Sequence, residues 1–410
     1  MVSGKKNKTS VHRKEIWSNI FSFGVIDIIG LLIPLITMPI LTRALGKESY
    51  GVLLLINVIV FFGHTIVDYG MQFTGVRELA NSRSCNHKVK IIYEENQGVR
   101  FFFLLVYCTL SICYAAIFQS AGFVYYVLIG VVPYLLGYTL LSAWFFQGIG
   151  KTATLAKLTF TSKLINLFVI VFFVSEPSDI RLAIFALSLP MLICGIFSLI
   201  FVYANYSTKI LIINNFRKRL KIGFDVFIGL LAPNLYNAIP TIVLGAMFSA
   251  SDFAPFGVAS RLSSVISTIQ NVIAKSVFPV IAMTKINHLK DLILINISIS
   301  IPIAIIIFIF GVDLIVIFLG NEYSNSYVYL KILVVGLVFS GIANSFSQGY
   351  FLPNGFDEIY RSVALRVSVF SGVISFLMIS NLGLLGGCIA ITLARMIFSI
   401  DYFVSYKRLK

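Results

Sequence analysis

Long unbroken apolar runs constrain this chain more than any other feature. About twelve follow one another, at roughly 17–41, 50–71, 99–118, 123–144, 155–174, 181–203, 223–247, 256–281, 291–312, 328–350, 362–379 and 382–404. Each approaches the ~20 residues that a helix needs to cross ~30 Å of hydrocarbon. Inside a bilayer no water satisfies the backbone, so only helices and closed barrels can span it. Barrel strands alternate apolar and polar residues, and these runs do not. The expected fold is all-α and integral to a membrane. Charged residues make up 12% of the chain, about half the ~25% usual in soluble domains.

Lysine and arginine in the loops set the orientation, because cytoplasmic loops carry the excess of positive charge. With the N-terminus inside, the inner segments hold Lys5, Lys6, Lys8, Arg13 and Lys14, then Arg77, Arg83, Lys88 and Lys90. Lys151 and Lys157 follow, then Lys209, Arg217, Lys218, Arg219 and Lys221, and finally Lys285, Lys290, Arg361, Lys407, Arg408 and Lys410. The outer loops hold only Arg43, Lys47 and Arg181. Both termini are therefore expected in the cytoplasm, with an even number of spans. The net charge of +15 then reflects membrane orientation and does not call for a nucleic-acid partner.

The basic stretch "YANYSTKILIINNFRKRLK" divides the spans into two sets of six. The expected organisation is a basic tail (1–15), a six-helix lobe (16–204), a basic cytoplasmic linker (205–222), a second six-helix lobe (223–404) and a short tail (405–410). A faint internal repeat supports it: "GLLIP" at 30–34 and "SYGV" at 49–52 are echoed by "GLLAP" at 229–233 and "PFGV" at 255–258. Parallel repeats of this kind are a transporter architecture, with the substrate site expected where the repeats meet. Pro34, Pro39, Pro233 and Pro240 should kink spans 1 and 7.

Several chemistries are disfavoured. "QGIGKTATLAK" (147–157) ends like a phosphate-binding loop, but Phe145 stands where the first glycine belongs, and the stretch follows an apolar run and not an α/β strand. Cys85, Cys108, Cys113, Cys194 and Cys388 are odd in number and form no C-x-x-C pair, and His12, His64, His87 and His288 are scattered. Neither a metal site nor a cofactor is expected. The basic tail leads into an apolar run too long for a cleaved signal peptide.

Charges inside spans are costly and mark function. On span 8, Arg261, Ser264, Thr268, Asn271 and Lys275 fall within an arc of about 80° and extend over about 21 Å. They form either a cationic, water-accessible wall or a snorkelling lysine with a helix-end arginine. Lys163 and Arg395 sit near mid-depth. Arg366 lies about one turn from the inner face and can either line the interior or snorkel. Fixed positive charge in an interior points to an anionic cargo such as a phosphate. Asp27, Asp68 and Asp225, acidic residues within or at the ends of spans, are candidates for ion coupling. Asp27 shares a face with Asn19, Ser22, Gly30, Pro34 and Thr37, and is placed either to bind a coupling proton or Na⁺ or to pair with a buried cation.

The run "LIPLITMPILTRALGKESYGVLLLINVIVFFGHTIVDYGMQFTGVRELA" resembles the start of the Wzx-type O-antigen flippases. Their pattern is matched by Pro39, Arg43, Leu45, Gly46, Tyr50, Gly51, Asp68, Tyr69, Gly70 and Arg77. "FFQGIGKTATLAK", with Gly148, resembles the family's Gln-Gly turn, and "FGVASRLSSVISTIQNVIAKSVFPVIA" its span 8, with Arg261 and Pro279. The resemblance implies a multidrug/oligosaccharidyl-lipid/polysaccharide (MOP) superfamily transporter with twelve helices in two MATE-like lobes, working by alternating access and without enzyme activity. The implied cargo is an undecaprenyl-pyrophosphate-linked oligosaccharide, moved across the bacterial cytoplasmic membrane. The implied surroundings are membrane lipids, a polysaccharide polymerase and a chain-length regulator. A multidrug exporter or a lipid II-type exporter of the same superfamily would share the fold. A polymerase or glycosyltransferase fits less well, since the longest outer loop spans only 313–327.

Overall fold

The computed structural model describes residues 3–209, 215–284, 289–352 and 354–409, excepting the side chains of 3–29, 31, 271–284, 348 and 357. Every regular element among the described residues is helical. They are α1 (Ser3–Asp68), α2 (Met71–Ser82), α3 (Asn86–Phe118), α4 (Ala121–Gly148), α5 (Thr152–Phe173) and α6 (Ile180–Tyr206). Then come α7 (Phe216–Met247), α8 (Ala250–Thr284), α9 (Leu289–Leu319), α10 (Ser326–Phe351) and α11 (Asp357–Arg408). Among the described residues, 9 helices are long and apolar enough to cross a membrane.

Two of these helices each carry a break that follows from one glycine. Gly46 interrupts α1 with φ 66° and ψ −179°, and Gly383 interrupts α11 with φ 55° and ψ −129°. A side chain resists a left-handed φ, whereas glycine adopts it at little cost. The first and last pairs of apolar runs thus become two arms of one kinked element. Helix α4 breaks differently, at Ser142, whose φ of 46° is left-handed without glycine. Upstream, a π-turn at Val127–Val131 precedes Pro133, an arrangement that relieves a helix of the hydrogen bond proline cannot make.

Two compact units emerge. The first comprises residues 1–37, 60–174 and 181–227, and the second 38–59, 175–180 and 228–410. The turn of α1 therefore packs with the second unit. An added Cβ on Gly51 would lie 2.0 Å from the Ala250 carbonyl oxygen, so the backbone of α1 touches the start of α8. Arg43 donates through Nη2 to the Ile317 carbonyl at 2.8 Å, capping the last turn of α9. Tyr50 meets Tyr323 edge-on at 6.1 Å.

The core of the first unit gathers Trp144, Tyr93, Phe145, Phe146, Tyr69 and Leu79. That of the second gathers Phe346, Phe351, Phe398 and Tyr402. The outside is apolar too: Ile117 is 72% exposed, Ile317 73% and Phe376 74%. Exposed aliphatic and aromatic surface on this scale is incompatible with water and is covered by lipid.

Candidate functional site

The chain reverses after α1 at Asp68-Tyr69-Gly70. Tyr69 and Gly70 take left-handed φ values of 45° and 77°, and Asp68 Oδ2 accepts the Gln72 backbone N–H at 3.0 Å. A carboxylate at a helix start satisfies an orphan donor and opposes the helix dipole. The Tyr69 ring stacks between Phe103 and Phe227, each at 4.5 Å. Asp68 is buried and has this capping task, and Asp225 is exposed on the surface of the same unit. Arg77 is exposed as well.

The stretch resembling a phosphate loop has a packing explanation. A Cβ on Gly148 would lie 2.6 Å from Leu79 Cβ, and Gly150 has φ 77°. Arg83 caps this turn, donating to the carbonyls of Gly148 at 2.5 Å and Gln147 at 3.5 Å. The Lys151 ammonium lies 4.8 Å from the Phe201 ring centre.

The segment read from sequence as a basic linker is anchored at its end. Arg219, only 6% exposed, donates to Glu95 Oε2 at 2.7 Å and to Glu78. Asn215 donates to Glu95 Oε1 at 2.7 Å, and the Lys209 backbone N–H to Glu94 Oε1 at 2.7 Å. Burial of Arg219 opposes its charge, but Glu78 and Glu95 outweigh burial and raise its pKa. The short helix α2 carries Glu78. It lies in what the sequence presents only as a charged loop.

Within the helix bundles the cations divide by their partners. Arg100 in the first unit is 1% exposed. It donates to the Thr139 carbonyl at 2.8 Å, the Tyr138 carbonyl at 3.2 Å and Gln97 Oε1 at 3.2 Å. The two carbonyls are acceptors freed where α4 breaks at Ser142, so Arg100 is the seal of that break. The half-buried Lys163 has a charged neighbour relation to His64, whose imidazole stacks on Tyr138 at 4.0 Å.

In the second unit, Arg366 forms a bidentate pair with Asp401, at 2.9 and 2.8 Å. Its fork is occupied. Arg395 donates to Ser263 Oγ at 3.2 Å and the Leu333 carbonyl at 3.3 Å. Ser263 and Gln270 are buried, whereas Arg261 and Thr268 are half-buried and Ser264 is exposed. At 100° per residue, Ser263 lies about 160° around α8 from Arg261. Arg395 therefore meets the side of α8 opposite the stripe. On the stripe itself, Ser264 Oγ donates to the Arg261 carbonyl at 2.7 Å and Thr268 Oγ1 to the Ser264 carbonyl at 2.9 Å. Both hydroxyls keep lone pairs for other donors. The side chains of Asp27, Asn271, Lys275 and Pro279 lie outside the described residues.

Arg100 and Asp401 are the residues that sequence reading missed. Arg100 stands at the head of an apolar run, where it passes for a boundary charge, and its acceptors lie about forty positions away in sequence. Asp401 stands near the end of the last run, and its role depends on the fold of α11.

Residues 16–285 match the family described as polysaccharide biosynthesis protein. A protein of Escherichia coli (strain K12) named "Putative O-antigen transporter" is 25% identical over 382 residues, covering 90% of each chain. In fold, the chain is similar to the lipid II flippase MurJ in an inward closed conformation, with a TM-score of 0.72, 15% identity and coverage of 94% of this chain and 87% of that one. It is also similar to an inward-facing multidrug resistance MATE family transporter of the MOP superfamily, with a TM-score of 0.66, 16% identity and coverage of 92% and 94%. The chain belongs to the polysaccharide biosynthesis protein family and is a multi-pass membrane protein.

Proposed function

We propose that this transporter flips an undecaprenyl-pyrophosphate-linked repeat unit of O-antigen or capsule from the inner to the outer leaflet of the bacterial cytoplasmic membrane. The observation that carries the anionic cargo is Arg395, bonded in the second unit to a serine hydroxyl and a backbone carbonyl and to no carboxylate among the described residues. Such a cation places positive charge among the described residues of the second unit. A positive field in a low-dielectric region attracts anions and repels cations. Cationic drugs, the usual cargo of a multidrug exporter, would be disfavoured there.

The same reading assigns twelve spans, with both termini in the cytoplasm. The 9 apolar helices among the described residues support it, with α1 and α11 each taken as two arms and α8 added. Arg261 and Thr268, with Asn271 and Lys275 on the same helix, are the proposed contacts of the diphosphate. Arg395 holds the bundle and sets the field. Arg366 drops out of the binding set because Asp401 occupies it. Asp27 is the proposed ion-coupling residue, since Asp68 caps α2 and Asp225 is exposed. A polymerase and a chain-length regulator would receive the product.

The test is complementation of a bacterium lacking its own O-antigen flippase. Expression of this chain should restore surface polysaccharide and clear lipid-linked repeat units from the cytoplasmic leaflet. Drug resistance without polysaccharide would favour the exporter reading instead.

A further inference from the structure

A groove of about 410 Å³ lies at one end of α9, α10 and α11, within the second unit. Phe346, Ile400, Phe403 and Tyr406 supply its apolar walls, and Lys290 stands among its lining residues. The volume falls within the range of about 300–1,000 Å³ typical of ligand sites. Ile400 is 50% exposed and Phe403 45% exposed, so the apolar wall of the groove is open to its surroundings. The Lys407 ammonium lies 4.8 Å from the Phe403 ring centre, placing a second cation beside the same wall.

Three features narrow the occupant. Ser399 is the one uncharged polar side chain besides the Tyr406 phenol in the lining, and a sugar buried there would lose hydrogen bonds to water without replacing them. The walls therefore suit hydrocarbon. Lys290 lines that hydrocarbon surface and the Lys407 ammonium stands beside it, which suits an amphiphile with an anionic head. A diphosphate carries more charge than the single phosphodiester of a bulk phospholipid and matches two cations better. Asp291, the carboxylate next to Lys290, does not line the groove.

We infer that this groove holds the head-proximal isoprenoid units of a polyprenyl pyrophosphate, with Lys290 and Lys407 on the diphosphate. The distal chain remains in the bilayer. The groove is then a landing site for the carrier lipid in the cytoplasmic leaflet, separate from the α8 stripe. This rests on the proposed function, since it supplies the lipid half of the same substrate.

The probe is a diazirine-bearing polyprenyl pyrophosphate, photolysed with the full-length protein in nanodiscs and mapped by peptide mass spectrometry. Label should concentrate on 289–293 and 399–406, and excess undecaprenyl pyrophosphate should suppress it while phosphatidylglycerol at the same mole fraction does not. Lys290→Gln combined with Lys407→Gln changes only surface charge. It should cut labelling about tenfold, the effect of losing charge-assisted contacts, with the size-exclusion profile unchanged. Equal competition by phosphatidylglycerol would show a bulk-lipid groove and overturn the inference, as would label elsewhere. If complementation succeeds while label misses the groove, this inference fails and the proposed function stands. If complementation fails, the functional reading fails first.

Discussion

Arg366 and Asp401 clasp each other across the kink of α11, with Nε–Oδ2 2.9 Å and Nη2–Oδ1 2.8 Å. They stand on opposite sides of Gly383, so the pair ties the two arms of one helix together. The Arg366 side chain is 54% exposed and that of Asp401 21%, and solvent screening therefore limits the value of the pair to about 1 kcal/mol or less. Arg366→Ala should lower the melting temperature slightly and leave transport near normal. The reversed pair, Arg366→Asp with Asp401→Arg, should recover most of that loss in a double-mutant cycle. Loss of transport in a stable Arg366→Ala protein would return Arg366 to the binding site.

A buried clasp behaves differently. Arg219 is 6% exposed between Glu78 and Glu95. Removing one partner of a buried pair strands the other charge, at a cost of about 3–5 kcal/mol. Arg219→Ala should therefore destabilise the protein much more than Arg366→Ala. It should also expose the neighbouring Arg217, Lys218 and Lys221 to trypsin. Limited proteolysis followed by peptide mapping checks both consequences.

Gly46 and Gly51 are both family-motif positions, for different physical reasons. At Gly51 an added Cβ would press on the Ala250 backbone at 2.0 Å, so Gly51→Ala must push α1 away from α8. At Gly46 nothing lies within 4 Å and only the backbone angles, φ 66° and ψ −179°, object, a strain of about 1–3 kcal/mol. Gly51→Ala should abolish folded protein in detergent, while Gly46→Ala should remain folded with a reduced melting temperature. Fluorescence-detected size exclusion distinguishes the two outcomes.

The proposed topology has its own test. Reporter fusions after residues 85, 151 and 215 should report cytoplasm, and fusions near 120, 252 and 322 the outer side. A periplasmic signal at 215 would break the twelve-span reading.

What the sequence made legible follows from the range of the forces involved. Apolar runs declare membrane helices because the requirement is local and the bilayer sets their length. The turns at Gly46 and at Tyr69-Gly70 were legible as motifs because a left-handed backbone needs particular residues. Partners distant in sequence were not legible. Arg395 reaches Ser263 across 132 positions, and nothing in either run announces that pairing. Its mid-depth position suggested a cavity wall, whereas the fold turns it to the far side of α8 from Arg261. The helix α2 was hidden for another reason: 12 residues with charges on one face look like a loop between two apolar blocks.

The central claim is that the α8 stripe holds the phosphate of a lipid-linked glycan, and Arg261 tests it most directly. Surface polysaccharide should be measured per molecule of membrane-inserted protein, in cells carrying Arg261→Ala, Arg261→Lys or Arg395→Ala. A guanidinium fork holds phosphate bidentately and lysine only as a point charge. Arg261→Ala should abolish polysaccharide at normal protein abundance, with lipid-linked repeat units accumulating in the cytoplasmic leaflet, and Arg261→Lys should restore it in part. Arg395→Ala should lower abundance and also weaken polysaccharide per inserted molecule, though less than Arg261→Ala. Normal polysaccharide from a well-expressed Arg261→Ala protein would contradict the account and point to a cargo that the stripe does not bind.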